Sequence, residues 1–361
     1  MAHHEWGARP APLPRHGVQG LSNLGKMIGR VDGDCERAAV PNCRRALVAG
    51  AEAEYTLALQ HHPTRRSLPK GEYHMTEQQR PTDLAQRIVQ FPAVRILLAI
   101  VWVFVAVAAA QFVVALLPAQ ETAPVAILAV AVSVSMACVA YLAYVRIVEK
   151  RRASELAASG AIAELAAGIL TGAALFTVTI GILWALGCYA VTGTNDWTAM
   201  LPAFTAATFA GVVEEILFRG VLFRIVEEWL GSWPALLASA LVFGLLHLMN
   251  PNATLIAGVA IALEAGIMLA AAYMLTRRLW LAIGIHFAWN FTQGGVFGVA
   301  VSGTAAHGLV QSVLTGPEIL SGGAFGAEAS IVAVVVCLAA GAYLLWRVYR
   351  KGNLVKPFWR R

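Results

Sequence analysis

The stretch Glu214-Glu215-Ile216-Leu217-Phe218-Arg219-Gly220 lies inside a long apolar segment, Leu201 to Phe223, where two carboxylates and a guanidinium are out of place. Ionisable groups at membrane depth cost about 2.5–3.5 kcal/mol each on insertion scales, so they are usually paired, interior-facing and functional. On a helix, Glu215 and Arg219 share a face four residues apart, with the acid on the favourable N-terminal side. Glu214 points about 100° away from that pair. One carboxylate is therefore neutralised while the other stays available as a general base. Two more polar groups interrupt later apolar runs: Phe243-Gly-Leu-Leu-His247 and His286-Phe-Ala-Trp-Asn290. His286 and Asn290 share one helical face, as do Phe243 and His247. Gln293 lies one turn beyond Asn290, and Glu264 stands in a further apolar run.

Two chemistries fit the set, and both hydrolyse a peptide bond. In one, Glu214 and His247 hold and deprotonate a water, while His286 and Asn290 donate hydrogen bonds to the oxyanion of a tetrahedral intermediate. In the other, Glu214, His247 and His286 are three ligands of a catalytic zinc whose fourth position holds the water. The residues leave open whether such a divalent metal takes part. Singly, each histidine is equally a hydrogen-bonding residue between packed helices. Phe218 and Phe243 read as packing, and Glu264 as a structural hydrogen-bonding group.

The elements that position these residues are apolar helices. The chain has 361 residues, 58% hydrophobic and 13% charged, with a mean hydropathy of +0.65. Soluble domains average nearer 25% charged, so this composition is that of a polytopic membrane protein. From Ile96 onward, apolar segments long enough to span a bilayer recur near 95–117, 124–146, 167–191, 201–225, 233–249, 254–275, 279–298 and 329–347. Of the Lys and Arg residues after Arg95, four fall in 146–152, and Arg219 and Arg224 toward the end of the fourth segment. Arg277 and Arg278 separate the sixth from the seventh, and the rest follow the eighth. The alternate connections 118–123, 192–200, 250–253 and 299–328 carry none. The expected fold is an all-α transmembrane bundle of about eight spans with both termini cytoplasmic. That segregation also accounts for the net charge of +6 without a nucleic-acid partner. Counting 1.5 Å per residue brings Glu214 and His286 to similar depths, and leaves His247 about 10 Å away in depth unless its helix tilts or begins lower.

Residues 1–90 differ in kind, with 12 Lys+Arg, 9 Asp+Glu and seven prolines and no sustained apolar period. They read as a disordered polar tail with a short helix near Arg44 to Leu59. Met75 opens an ordinary membrane-protein start, so residues 1–74 are expected to be an optional or mis-assigned extension. The transmembrane domain is expected over 91–348, with a basic cytoplasmic tail at 349–361. Val221 to Gly231 reads as an amphipathic continuation at the cytoplasmic interface, and 299–328 as a long external loop. Cys35, Cys43, Cys138, Cys188 and Cys337 form no CxxC or Cys/His zinc spacing, so neither a disulfide framework nor a structural zinc site is supported.

EEILFRG, FGLLH and HFAWN, in that order, resemble the EExxxR, FxxxH and HxxxN motifs of the CAAX prenyl protease and bacteriocin-processing membrane proteases, the Rce1-type and Abi proteins, over about residues 165–300. The resemblance implies an α-helical intramembrane endopeptidase with Glu214 as base and His247 as its partner on the water. It places His286 and Asn290 on the oxyanion side, with Glu215 and Arg219 supporting. Zinc remains open, since the HExxH of ordinary zinc peptidases is absent. The partners implied are membrane lipid and a membrane-associated or prenylated protein or peptide substrate, and the oligomeric state is left open. Two other classes compete: a non-catalytic bacteriocin-immunity or binding protein on the same scaffold, and an ion-coupled transporter. The chain's two halves repeat no motif of the kind inverted-repeat transporters carry. An Ala/Val/Arg-rich composition points to a high-GC bacterium and so to its plasma (inner) membrane.

Overall fold

The computed structural model describes residues 84–116 and 122–360. The expected tail up to residue 83, with the helix near Arg44 to Leu59, Cys35, Cys43 and Met75, lies outside the described residues. The helices are α1 (Leu84–Val89), α2 (Pro92–Ala115), α3 (Ala123–Ile147), α4 (Ala161–Ala185), α5 (Leu201–Glu215), α6 (Arg224–Leu230), α7 (Ser232–Leu246), α8 (Leu255–Ile261), α9 (Ile267–Thr276), α10 (Trp280–Phe291), α11 (Glu318–Ser321) and α12 (Ile331–Arg350). Two strands, β1 (Tyr189–Thr194) and β2 (Val310–Leu314), pair antiparallel. Among the described residues, 6 helices are long and apolar enough to cross a membrane. They are α2, α3, α4, Ser232–Met249, Leu255–Thr276 and α12. The other two expected segments are helical as well, but π-helical turns divide them. Ile216–Phe223 joins α5 to α6, and Thr292–Val296 prolongs α10. A third π turn, Ala262–Gly266, joins α8 to α9. The chain is a polytopic helical membrane protein.

Three departures from expectation have local causes. The third apolar segment does not run to residue 191 as helix. Gly187, at φ 73°, ends α4, and Tyr189–Thr194 turns into β1. An apolar run by itself does not distinguish a helix end from a short strand. The 299–328 stretch is not an open loop. It supplies β2 and buries Phe325, Ala327 and Glu328. It meets the connection between α7 and α8, where Asn252 Nδ2 donates to the Gly303 carbonyl at 3.0 Å, and the connection before α5, where Asn195 Nδ2 donates to that of Gly308 at 2.8 Å. Finally, α6 is no surface amphipath, because Arg224 and Glu227 are each only 5% exposed.

Those two charges belong to a network at the end of the bundle where the basic residues gather. Arg224 reaches Glu149 at 2.7 Å and Glu228 at 2.6 Å, and Arg95 reaches the same two acids at 2.7 and 3.0 Å. Arg277 pairs with Glu227 at 2.5 Å, and Arg278 with Glu164. Burial works to raise the Glu149 carboxyl, but the Arg224 and Arg95 guanidiniums outweigh it and hold the group below the ordinary carboxylate range. Charges that must end a span here find partners instead of water.

Close helix contact is set by glycines. A Cβ on Gly284 of α10 would meet the Leu165 carbonyl at 2.5 Å, and one on Gly168 of α4 the Leu281 carbonyl at 2.5 Å. In lipid, where apolar surface alone draws helices together weakly, such small-residue contacts let backbones approach and lock. They fix α10, which carries His286, against α4.

Candidate active site

The i,i+4 spacing does what it predicts. Arg219 Nη1 donates to Glu215 Oε1 at 2.8 Å, with both side chains 0% exposed. Arg219 Nη2 donates to the Ala265 and Gly266 carbonyls at 3.2 and 3.3 Å, at the π turn between α8 and α9. Its guanidinium lies 4.7 Å from the Phe243 ring centroid. A π turn displaces the regular carbonyl ladder and is frequent at functional sites. Here it supplies acceptors for a guanidinium that has left water.

Glu215 has a second task that spacing does not reveal. Its Oε1 also accepts from His286 Nδ1 at 2.9 Å, across to α10. With Nδ1 so engaged, His286 turns Nε2 toward Glu214, whose Oε2 lies 3.9 Å away. Glu214 is about one third exposed, at 32%, and its buried Oε2 has no hydrogen-bond partner in the protein. His247 closes the C-terminal end of α7, and its Nδ1 donates to the Phe243 carbonyl at 2.7 Å, leaving Nε2 as the free nitrogen. A hydrogen bond that fixes one ring nitrogen assigns the role of the other. Phe243 stands between the two histidines, 4.6 Å from the His247 ring and 6.0 Å from that of His286. It also packs edge-on against Phe218 at 4.8 Å. The packing role read for both phenylalanines holds, and Phe243 is in addition a wall of the site.

Glu214, His247, His286 and Asn290 all line one cavity of about 360 Å³. His247 reaches the cavity from the turn that ends α7, next to the connection whose Asn252 bonds the 299–328 segment. Val301, Ser302, Thr304 and His307 of that segment line the same cavity. Asn290 and His286, one turn apart on α10, present their polar ends on the same side. The sequence reading missed Glu328, which also lines the cavity and whose Oε1 accepts from the Ser302 N–H. Burial pushes the Glu328 carboxyl up to about 7, with the Ser302 bonds acting in the other direction. The available signal was an acid set in the otherwise uncharged Gly326-Ala-Glu-Ala-Ser330 just before the last apolar run. Glu264 meets its expected structural role only in part. It contacts the Cys337 thiol, a weak donor, but its buried Oε2 has no partner.

Residues 195–292 match the family model described as type II CAAX prenyl endopeptidase Rce1-like. The Rce1-like stretch begins just before α5 and ends after α10, so it contains EEILFRG, FGLLH and HFAWN together. At the level of the family it supports a CAAX-type intramembrane protease. No curated protein and no solved structure matches the chain.

A zinc held by Glu214, His247 and His286 requires their donor atoms to converge within about 2.0–2.2 Å of one point. Among the described residues, no group of three or more His, Cys, Asp or Glu side chains is placed to hold a metal ion. His286 gives Nδ1 to Glu215 and His247 gives Nδ1 to a backbone carbonyl, bonds that leave each Nε2 available and that histidine metal ligands also make. Hydrolysis by the side chains themselves needs no such convergence.

Proposed function

We propose that this protein is an intramembrane endopeptidase that hydrolyses a peptide bond of a membrane-associated protein or peptide with a water activated by Glu214. The observation that carries the reading is the convergence of Glu214, His247, His286 and Asn290, from three separate helical segments, on one cavity. Glu214 Oε2, without a hydrogen-bond partner in the protein, takes a proton from the water as His247 Nε2 orients it. The water oxygen bonds to the scissile carbonyl carbon. The oxyanion accepts hydrogen bonds from the Asn290 amide and His286 Nε2–H. For Nε2 to donate while Nδ1–H bonds Glu215, the imidazole carries both protons, and Glu215 at Nδ1 and Glu214 near Nε2 are the two carboxylates that, with Arg219, balance the charge of the site. Glu214 then passes its proton to the leaving nitrogen as the C–N bond breaks. Arg219 holds Glu215 so that this carboxylate does not compete as a base.

The exposed Pro202 and Ala206 of α5 line the same cavity, which gives a substrate in the bilayer a low-relief path to the site. Prenylated and unmodified peptide substrates both suit such a path. High Ala, Val and Arg content supports a bacterial plasma membrane as the setting. The test is terminal-peptide profiling of membranes carrying wild type or Glu214→Gln at equal abundance. New termini seen with wild type alone support the reading. A phenotype kept by Glu214→Gln, with identical termini, replaces it with a binding or immunity role, and pH-driven flux through the protein replaces it with transport.

A further inference from the structure

Glu264 and Glu328 line the cavity that holds Glu214 and His286. They come from different elements, the π turn between α8 and α9 and the segment leading into α12. They are 1% and 2% exposed. No lysine or arginine is among the described residues lining the cavity. Arg219, behind its wall, is committed to Glu215 and to two backbone carbonyls. No basic side chain of the lining is therefore there to meet these two carboxyls. Glu264 Oε2 and Glu214 Oε2 are both buried without a hydrogen-bond partner, and so is Oε1 of Gln293, which lies against Glu328.

Buried acceptors without donors, and two carboxyls buried in the wall of one cavity, are costly and call for an explanation. What Glu264 Oε2 and Glu214 Oε2 lack is a donor aimed at them. An ammonium brings three donors and a guanidinium five, and neither brings an acceptor. A hydroxyl or amide would add acceptors to a site already crowded with them. A cation in turn does not reach such depth without counter-charges. The rest of the lining, including Ile261, Met268, Leu269 and Ile285, is apolar and suits the methylene stem of a long basic side chain.

We propose that Glu264 and Glu328 form a cation-binding subsite beside Glu214 that takes a lysine or arginine side chain of the polypeptide being cleaved. The subsite rests on the endopeptidase reading above. It makes Glu264 and Glu328 specificity-determining residues, and leaves bond cleavage to Glu214 and its partners.

The test uses full-length protein in lipid nanodiscs and pairs of N-acetylated apolar peptides that differ at one position. Lysine is compared with norleucine and arginine with citrulline, with the position scanned along the peptide. Cleavage is measured with wild type, and equilibrium binding of fluorescent versions with wild type and Glu214→Gln. The expected result is a preference for the charged member, at one position, of roughly 10- to 100-fold, the value of charge-assisted hydrogen bonds. In Glu264→Gln and in Glu328→Gln, each checked for folding by its melting temperature, the ratio falls toward one. A ratio near one in wild type overturns the subsite, and a ratio that persists in both folded variants overturns its assignment to these residues. Peptides cleaved without charge preference leave the endopeptidase reading standing and the subsite refuted. Charge-dependent binding lost in the two variants, with no peptide cleaved, does the reverse. Peptides neither bound nor cleaved overturn the subsite.

Discussion

Arg219→Gln removes a guanidinium that is 0% exposed and leaves the equally buried Glu215 carboxylate without its cation. The loss has three parts: the 2.8 Å ion pair, the bonds to the Ala265 and Gly266 carbonyls, and the contact with the Phe243 ring. Breaking a buried pair from one side typically costs about 3–5 kcal/mol, because the remaining charge stays in a place water does not reach. At about 2–4 °C per kcal/mol, that is a fall in melting temperature of roughly 6–20 °C. The assay is thermal unfolding of wild type, Arg219→Gln, Glu215→Gln and the double variant, in one detergent at a fixed scan rate. The double variant should lose less than Arg219→Gln alone, since neutralising both partners removes the orphaned charge. An Arg219→Gln loss below about 1 kcal/mol, the scale of an exposed pair, would refute the buried, bridging role assigned to this residue.

Further outcomes follow from other parts of the structure. Glu149 has a lowered folded-state pKa, so its contribution to stability is present above the ordinary carboxylate range and is lost as pH falls through the lowered value. Acid unfolding of Glu149→Gln should accordingly be shallower than that of wild type, and an unchanged acid profile would contradict the network. Gly284→Val would drive a Cβ into the Leu165 carbonyl and displace α10, lowering the cleavage rate by about 100-fold through His286. Gly181→Ala, inside α4 and meeting nothing within 4 Å, should leave the rate unchanged and should not lower the melting temperature. Cleavage by purified protein should survive a chelator, and loss of activity restored by added zinc would instead establish the three-ligand arrangement.

Local spacing made much of the site legible. Glu215 and Arg219 pair because four residues are about one helical turn, and His286 and Asn290 face one cavity for the same reason. The apolar runs located the helices because lipid forces backbone polar groups to bond within each segment. The rest depended on distant parts of the chain. The bond from His286 to Glu215 spans 71 residues, and nothing periodic announces it. The 299–328 segment is rich in Gly, Ser and Ala, so it carries neither helical nor strand alternation. Its fold is fixed by contacts with Asn252, Asn195 and Gly295 instead. Glu328 went unnoticed for that reason. The charges on α6 were legible as charges, but their partners Arg95 and Glu149 come from α2 and the end of α3. Only the packed bundle shows them buried.

The central claim is that Glu214 activates the water that cuts the substrate. Its most direct test is the single-turnover cleavage rate of a substrate found by terminal-peptide profiling, with wild type and Glu214→Gln in the same lipid and their binding affinities measured in parallel. The account predicts that Glu214→Gln binds the substrate within a few-fold of wild type and loses at least about 100-fold in rate, the scale of general-base catalysis. A Glu214→Gln protein that cleaves within about tenfold of wild type would contradict it, since a base is worth at least about 100-fold.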